Sequence, residues 1–252
     1  MFLPTDHISH YRSDAEIFDY FKDFSPVNAD GARRIQQAVF AEACIPANGL
    51  ILDAGSGNGW LVRRIPEGGP AVVCLDLGMH NLKKIKEIAP HALCVCSSLE
   101  RLPFRSGVFE RVVCSEVLEH TVHPETVVSA CTGVLVSKGR FIASTPYREK
   151  IRETLCIHCN RPTPVNAHLH SFDENRHHRC MATAGLSDLN HKLIQNKYFM
   201  ASRLSWLLRA LPFRLWRILD AGCNLLAPKA ATIVVSGVKH EKDNRGQSPQ
   251  YI

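Results

Sequence analysis

Between Gly49 and Pro146, short apolar runs alternate with helical stretches, and this alternation constrains the fold more than any other feature. "GLILDAGSG", "AVVCLDLG", "ALCVCSS", "RVVCSEV" and "GRFIASTP" read as five buried strands. Three connections read as helices. "GWLVRRIPEG" is short. "MHNLKKIKEIAP" sets Leu82, Ile85 and Ile88 at helical spacing and stops at Pro90. "PETVVSACTGVLVSKG" has proline at its start and glycine after its end. Strands joined by helical crossovers run parallel, because a tight turn cannot return a parallel strand. The expected fold is therefore α/β, a doubly wound and mostly parallel sheet. Ligands in such sheets bind beyond the carboxyl ends of the strands, where the strand order reverses.

The flanking segments differ from this core, which spans 46–146. Residues 1–45 read as a helical N-terminal cap that can lie across the ligand edge. Residues 147–195 form a weakly periodic insertion rich in His and Cys, and 196–228 an amphipathic helical segment. A last strand, "KAATIVVSGVKH", falls in 229–240 and completes a single domain over 1–240. The polar stretch 241–252 is expected to be a disordered tail. With 45% apolar and 21% charged residues, the composition is that of an ordinary globular domain. A net charge of +6 does not by itself argue for nucleic acid. Cys74, Cys94, Cys96 and Cys114 sit inside apolar runs and are expected to be buried free thiols in a reducing compartment. "MFLPTDHISHYR" lacks the pattern of a signal peptide, and no stretch reaches the ~20 apolar residues of a spanning helix. A cytoplasmic location is expected.

The first strand runs into Gly55-Ser56-Gly57-Asn58-Gly59. Ordered glycine costs backbone entropy, so three at alternate positions need a reason. A glycine turn between a strand and its helix lets a ligand approach the backbone, beside the unpaired N–H groups of the helix start. The dinucleotide pattern G-x-G-x-x-G does not fit, since Trp60 stands where its third glycine belongs. That spacing disfavours an oxidoreductase. Asp53 beside the loop is awkward for a pyrophosphate and suits a ligand with positive charge, such as a sulfonium or an α-amino group.

"LDAGSGNG" resembles the first motif of class I S-adenosylmethionine-dependent methyltransferases. The resemblance continues in order through "VVCLDLG", "SSLERLPFRSGVFERVVCSEVLEHTVHP" and "VLVSKGRFIASTP", over residues 48–146. It points to small-molecule enzymes like those of the ubiquinone and menaquinone pathways. It implies a Rossmann-like fold and S-adenosylmethionine as cofactor. By that resemblance Asp53, Gly55, Ser56, Gly57, Gly59, Leu77, Ser98, Leu99 and Ser115 would form the cofactor site, with Asp76 accepting both ribose hydroxyls. The family often places an acidic residue after the third strand, toward the adenine amino group. Ser98 stands there instead, leaving Glu100 and the Leu99 N–H as the other contacts.

"SEVLEH" puts Glu116, Glu119 and His120 at the end of the fourth strand. If this segment is helical, the three share one face toward the substrate side. Methyl transfer to a hydroxyl needs a proton acceptor, and His120 or Glu116 is the expected catalytic base. Ubiquinone-pathway O-methyltransferases and small-RNA terminal-ribose methyltransferases are similar in carrying E-x-x-E-H with a later histidine. That resemblance implies a divalent ion such as Mg²⁺ on Glu116, Glu119, His120 and His170. The alternative is a metal-free cleft shaped by the same motif. A second metal reading is zinc on Cys156, Cys159 and His168, because C-x-x-C is the common half of a structural zinc site. Its alternative is a surface loop.

Within 199–226, Leu204, Leu207, Leu208 and Leu211 share a helical face, and a second helix from Pro212 is expected to bury Leu215, Leu219 and Leu226. Arg203, Arg209, Arg214 and Arg217 accompany a single acid, Asp220. This segment is either a cap on the sheet or a peripheral contact with a membrane or lipid-like substrate. The expected function is O-methylation of a small-molecule, lipid-linked acceptor. The alternatives are an RNA terminal-ribose methyltransferase, against which stands the lack of an RNA-binding module, and a non-catalytic S-adenosylmethionine-binding protein.

Overall fold

The computed structural model describes residues 20–22, 25–155, 162–201 and 208–240. Strands β1 (Leu50–Ala54), β2 (Ala71–Asp76), β3 (Leu93–Cys96), β4 (Phe109–Ser115) and β5 (Leu135–Pro146) are parallel to one another. A separate ribbon of β6 (Glu153–Leu155) and β7 (Pro162–Pro164) follows. Then β8 (Leu186–Asn196) and β9 (Ala230–Lys239) extend the sheet to the order β3-β2-β1-β4-β5-β9-β8, with β9 antiparallel to both neighbours.

The helices are α1 (Pro26–Ala43), α2 (Trp60–Arg64), α3 (Met79–Ile88), α4 (Pro124–Val134), α5 (Glu174–Thr183), α6 (Lys197–Ala201) and α7 (Phe213–Leu226). Successive strand residues leave the sheet on opposite faces, and both faces are covered. Leu52, Val112, Phe141 and Val235 pack with α4 and α5 through Val127, Val128 and Met181. Their neighbours Ile51, Val113, Ile142 and Val234 pack with Val39 of α1, Leu61 of α2, Ile85 of α3 and Trp216 of α7. Burial on two faces explains the nearly continuous apolar runs of the central strands. Ser25 caps α1 by accepting from the Asn28 N–H, and Pro26 opens its first turn. Buried Glu42, near the end of α1, accepts from Asn190, Lys192 and Ser236 and so fastens α1 across β8 and β9.

Four sequence expectations change. The C-terminal part of the helix expected from "PETVVSACTGVLVSKG" is not helical, because β5 already begins at Leu135. The insertion at 147–195 contains β8, an edge strand whose Asp188, Asn190, His191 and Lys192 disguise it. Among the described residues it pairs only with β9, and its register slips between Ser187 and Asn190, where Asp188 takes a φ of +48°. Cys96 is exposed rather than buried. On α7 it is Trp216 and Asp220 that face inward, whereas Leu215, Leu219 and Leu226 face outward. The expected tail at 241–252 lies outside the described residues.

Candidate active site

The strand order reverses between β1 and β4, and a cavity of 470 Å³ opens there. That is an ordinary size for a small-molecule site. Gly55, Ser56 and Gly57 line it after β1, Asp76 and Leu77 after β2, and Ser98 and Leu99 after β3. Ser115, Glu116 and His120 line it after β4, while Ala32, Ile35 and Gln36 of α1 cover it. Asp53 and Gly59 stand outside this wall.

The glycine loop is strapped to the end of β2. The Gly55 and Ser56 N–H groups donate to the Leu75 carbonyl at 2.8 and 3.0 Å, and the Ser56 hydroxyl donates to the Asp53 carbonyl at 2.9 Å. All three glycines have positive φ, but for different reasons. A Cβ at Gly55 would meet Val117 at 2.5 Å, and one at Gly59 would meet Ile85 at 2.8 Å. A Cβ at Gly57 would meet nothing within 4 Å. Gly57 therefore keeps open the part of the loop that lines the cavity, whereas Gly59 serves the packing of α3.

The Asp76 carboxylate accepts from the Gly57 N–H at 2.9 Å and from the Gly78 N–H at 2.8 Å, one on each oxygen. Burial raises its pKa, and the N–H groups of Gly78 and Gly57 oppose the rise. The Asn81 side chain and the Leu77 N–H act in the same direction on this carboxylate. Asp53, 1% exposed, has Oδ2 without a partner. Burial, with the Asp76 charge adding, pushes its carboxyl up to about 8. Buried Asn81 also lines the cavity, and its Oδ1 has no protein partner. Sequence reasoning missed it; the available signal was its place in the first turn of the helix after Asp76.

The "SEVLEH" segment is not a regular helix. Glu116 has a φ of +56°, and only Leu118–His120 form a single 3₁₀ turn. Glu116 and His120 consequently line the cavity, whereas Glu119 is buried outside its wall. Glu116 Oε1 and Glu119 Oε2 both lack partners. Burial pushes the Glu116 carboxyl up to about 7, with the Ser144 hydrogen bond opposing and Glu149 adding to the rise. Burial, followed by the Glu116 charge, holds Glu119 well above the ordinary carboxylate range.

The expected metal set also changes. His170 is committed elsewhere: its Nε2 lies 3.2 Å from the Val122 carbonyl, and its Nδ1 accepts from Arg176 at 3.1 Å. His168 joins the cluster instead. Ligand atoms of Glu119, His120 and His168 all lie within 4.8 Å of one another. The rings of His120 and His168 meet edge to face, with centroids 4.7 Å apart. Glu149, which no sequence pattern singled out, accepts from His168 Nδ1 at 2.5 Å. Leu169 donates its N–H to the Glu119 carbonyl at 2.7 Å, which pins this segment to the turn after β4. Cys156 and Cys159 lie outside the described residues.

Residues 52–143, which run from β1 into β5, match the family described as "Methyltransferase domain". This chain carries a class I S-adenosylmethionine-dependent methyltransferase domain. The domain's site suits that cofactor: a carboxylate lining the cavity at Asp76, and open space beside Gly57. The chain is 29% identical over 121 residues to the ubiquinone biosynthesis O-methyltransferase of Xanthomonas axonopodis pv. citri, covering 44% of this chain and 49% of that one. It is 29% identical over 168 residues to the protein of the same name from Colwellia psychrerythraea, covering 60% and 67%. It thus spans about half the length of the first of these relatives. The structure of Burkholderia thailandensis 1,6-didemethyltoxoflavin-N1-methyltransferase, with bound 1,6-didemethyltoxoflavin and S-adenosylhomocysteine, aligns with a TM-score of 0.64. That alignment has 16% identity and covers 96% of this chain and 92% of the other, a likeness of fold.

Proposed function

We propose that this methyltransferase domain methylates a hydroxyl of a small, lipid-linked acceptor. The observation that carries this reading is a single cavity lined both by Asp76 and by two acid–base groups, Glu116 and His120. The cofactor supplies a methyl group activated on a positively charged sulfur. Asp76 would accept the ribose hydroxyls, Gly55 to Gly57 would border the methionine portion, and Ser98 and Leu99 would flank the adenine. Glu116, with its carboxyl near 7, is poised to take a hydroxyl proton around neutral pH. His120 lines the same cavity, with Nδ1 3.3 Å from the Ala167 carbonyl, a contact that orients the ring. The names of the curated relatives, both ubiquinone biosynthesis O-methyltransferases, support a hydroxyl on a lipid-linked molecule.

A second reading adds a divalent ion. The convergence of Glu119, His120 and His168, with Glu149 behind His168 as carboxylates often stand behind histidine ligands, supports it. The mixed nitrogen and oxygen donors suit Zn²⁺ better than Mg²⁺. When bound, such an ion lowers the pKa of an acceptor hydroxyl.

The test combines calorimetric titration with S-adenosylhomocysteine and incubation of protein, methyl-labelled S-adenosylmethionine and source lysate, followed by lipid and aqueous extraction. Label should enter the lipid extract and be lost in Glu116→Gln. Label confined to the aqueous extract would remove the lipid-linked acceptor, and binding without any transfer would favour a non-catalytic role. Elemental analysis of wild type against Glu119→Gln decides the ion, since stoichiometric metal should vanish in the variant.

A further inference from the structure

The outer face of α7 has no partner among the described residues and is built from two kinds of side chain. Leu215, Ile218, Leu219, Leu225 and Leu226 form a stripe directed away from the sheet; Ile218 is 65% exposed, Leu225 84% and Leu226 87%. The stripe runs for about 17 Å at the helical rise. Isolated exposed apolar residues are ordinary, but a continuous row on one helix marks a contact surface.

Its charges all have one sign. Arg214 and Arg217 are exposed along one flank of the stripe. Lys197 and Lys229, also exposed, lie together near the far end of the helix, joined by the hydrogen bond from the Lys197 N–H to the Lys229 carbonyl. Exposed Tyr198 adjoins them through Asn196, which bonds to Asn224 and Ala227 at the end of α7. The only acid of the helix, Asp220, points inward and accepts from the Gln195 and Asn196 N–H groups. The outward surface is thus apolar and cationic, with its carboxylate withdrawn.

From this complementarity we infer that α7 docks on an anionic lipid bilayer, lying in the plane of the interface. Leucines enter the acyl boundary, the arginines and lysines meet lipid phosphates, and the tyrosine sits at headgroup level. The docking surface connects to the active site through α1. Buried Arg34 donates to the carbonyls of Leu208, Arg209 and Leu211 and stacks over Trp216, the inward anchor of α7. Its neighbours Ala32, Ile35 and Gln36 cover the cavity. The inference stands whatever acceptor the domain methylates.

The test is co-sedimentation of the full chain with vesicles of phosphatidylglycerol in phosphatidylcholine and with vesicles of phosphatidylcholine alone. Binding to the anionic vesicles should be about tenfold or more stronger and should weaken with salt. Leu225→Asp with Leu226→Asp should reduce partitioning about tenfold or more, and Arg214→Ala about fivefold. These side chains are exposed, so the variants should keep the wild-type melting temperature and S-adenosylhomocysteine affinity. Three results would overturn the inference: no binding of the folded wild type to anionic vesicles, binding that the double leucine variant leaves unchanged, or a dimer in light scattering that this variant dissociates. The last would make a second copy the occupant of the face.

Discussion

Asp53→Asn is expected to stabilise the ligand-free protein at neutral pH and to lose that advantage in acid. The folded chain holds the Asp53 carboxyl at about 8, against an ordinary value of 3.8, because the group is buried with one oxygen unpartnered. The folded state therefore keeps a proton that the unfolded chain releases. Stability is fully present below the unfolded pKa and is lost as pH rises toward the folded one. At neutral pH the unfolded chain has gained roughly three pH units of ionisation at about 1.4 kcal/mol each, so Asp53 costs about 4 kcal/mol. An asparagine removes that cost but buries an amide whose own unmade hydrogen bonds return ~1–3 kcal/mol. The net gain is on the order of 1–3 kcal/mol, worth roughly 2–4 °C of melting temperature per kcal/mol. Thermal or urea melts of both proteins between about pH 4 and about pH 8 measure it, and the gap between them should widen as pH rises. A gap that stays constant across this range would refute the argument, because it would mean that Asp53 ionises alike in both states. Titration with S-adenosylhomocysteine then separates two roles: unchanged affinity in Asp53→Asn would assign the carboxyl to the loop's support rather than to the ligand.

Other substitutions test the loop and its surroundings. Gly57→Val places a side chain in the cavity next to Asp76 and should reduce S-adenosylhomocysteine binding below calorimetric detection; Gly68→Val, with a positive φ and equally open space, carries similar strain and should bind normally. Gly55→Ala should cost ~1–3 kcal/mol by overpacking, because its Cβ would lie 2.5 Å from Val117. Adding Val117→Ala should return part of that loss in urea melts, and strictly additive effects would show that the clash is not the cause. Asp220→Ala leaves the Gln195 and Asn196 N–H groups buried without an acceptor and should destabilise by ~2–4 kcal/mol; a loss well under 1 kcal/mol would mean that these groups find another acceptor.

By itself, the sequence determined the parallel core and the place of its ligand edge. Ile51, Leu52, Val112, Val113, Phe141 and Ile142 are apolar without alternation because helices cover both faces of their strands. Gly55, Gly57 and Asp76 could be read locally as well, since a positive φ and a carboxylate at a strand end are demands of the chain's own backbone. The rest was decided at a distance. β8 became a strand because β9 offered its edge, in spite of Asp188, Asn190 and Lys192. His168 rather than His170 met Glu119 and His120 because Arg176 and the Val122 carbonyl had claimed the other ring. Helical spacing showed that α7 has an apolar stripe but not which stripe lies inside. That choice depends on what stands across from the helix. Arg34 reaches over Trp216 and the β8 backbone binds Asp220, so the leucines are left facing outward.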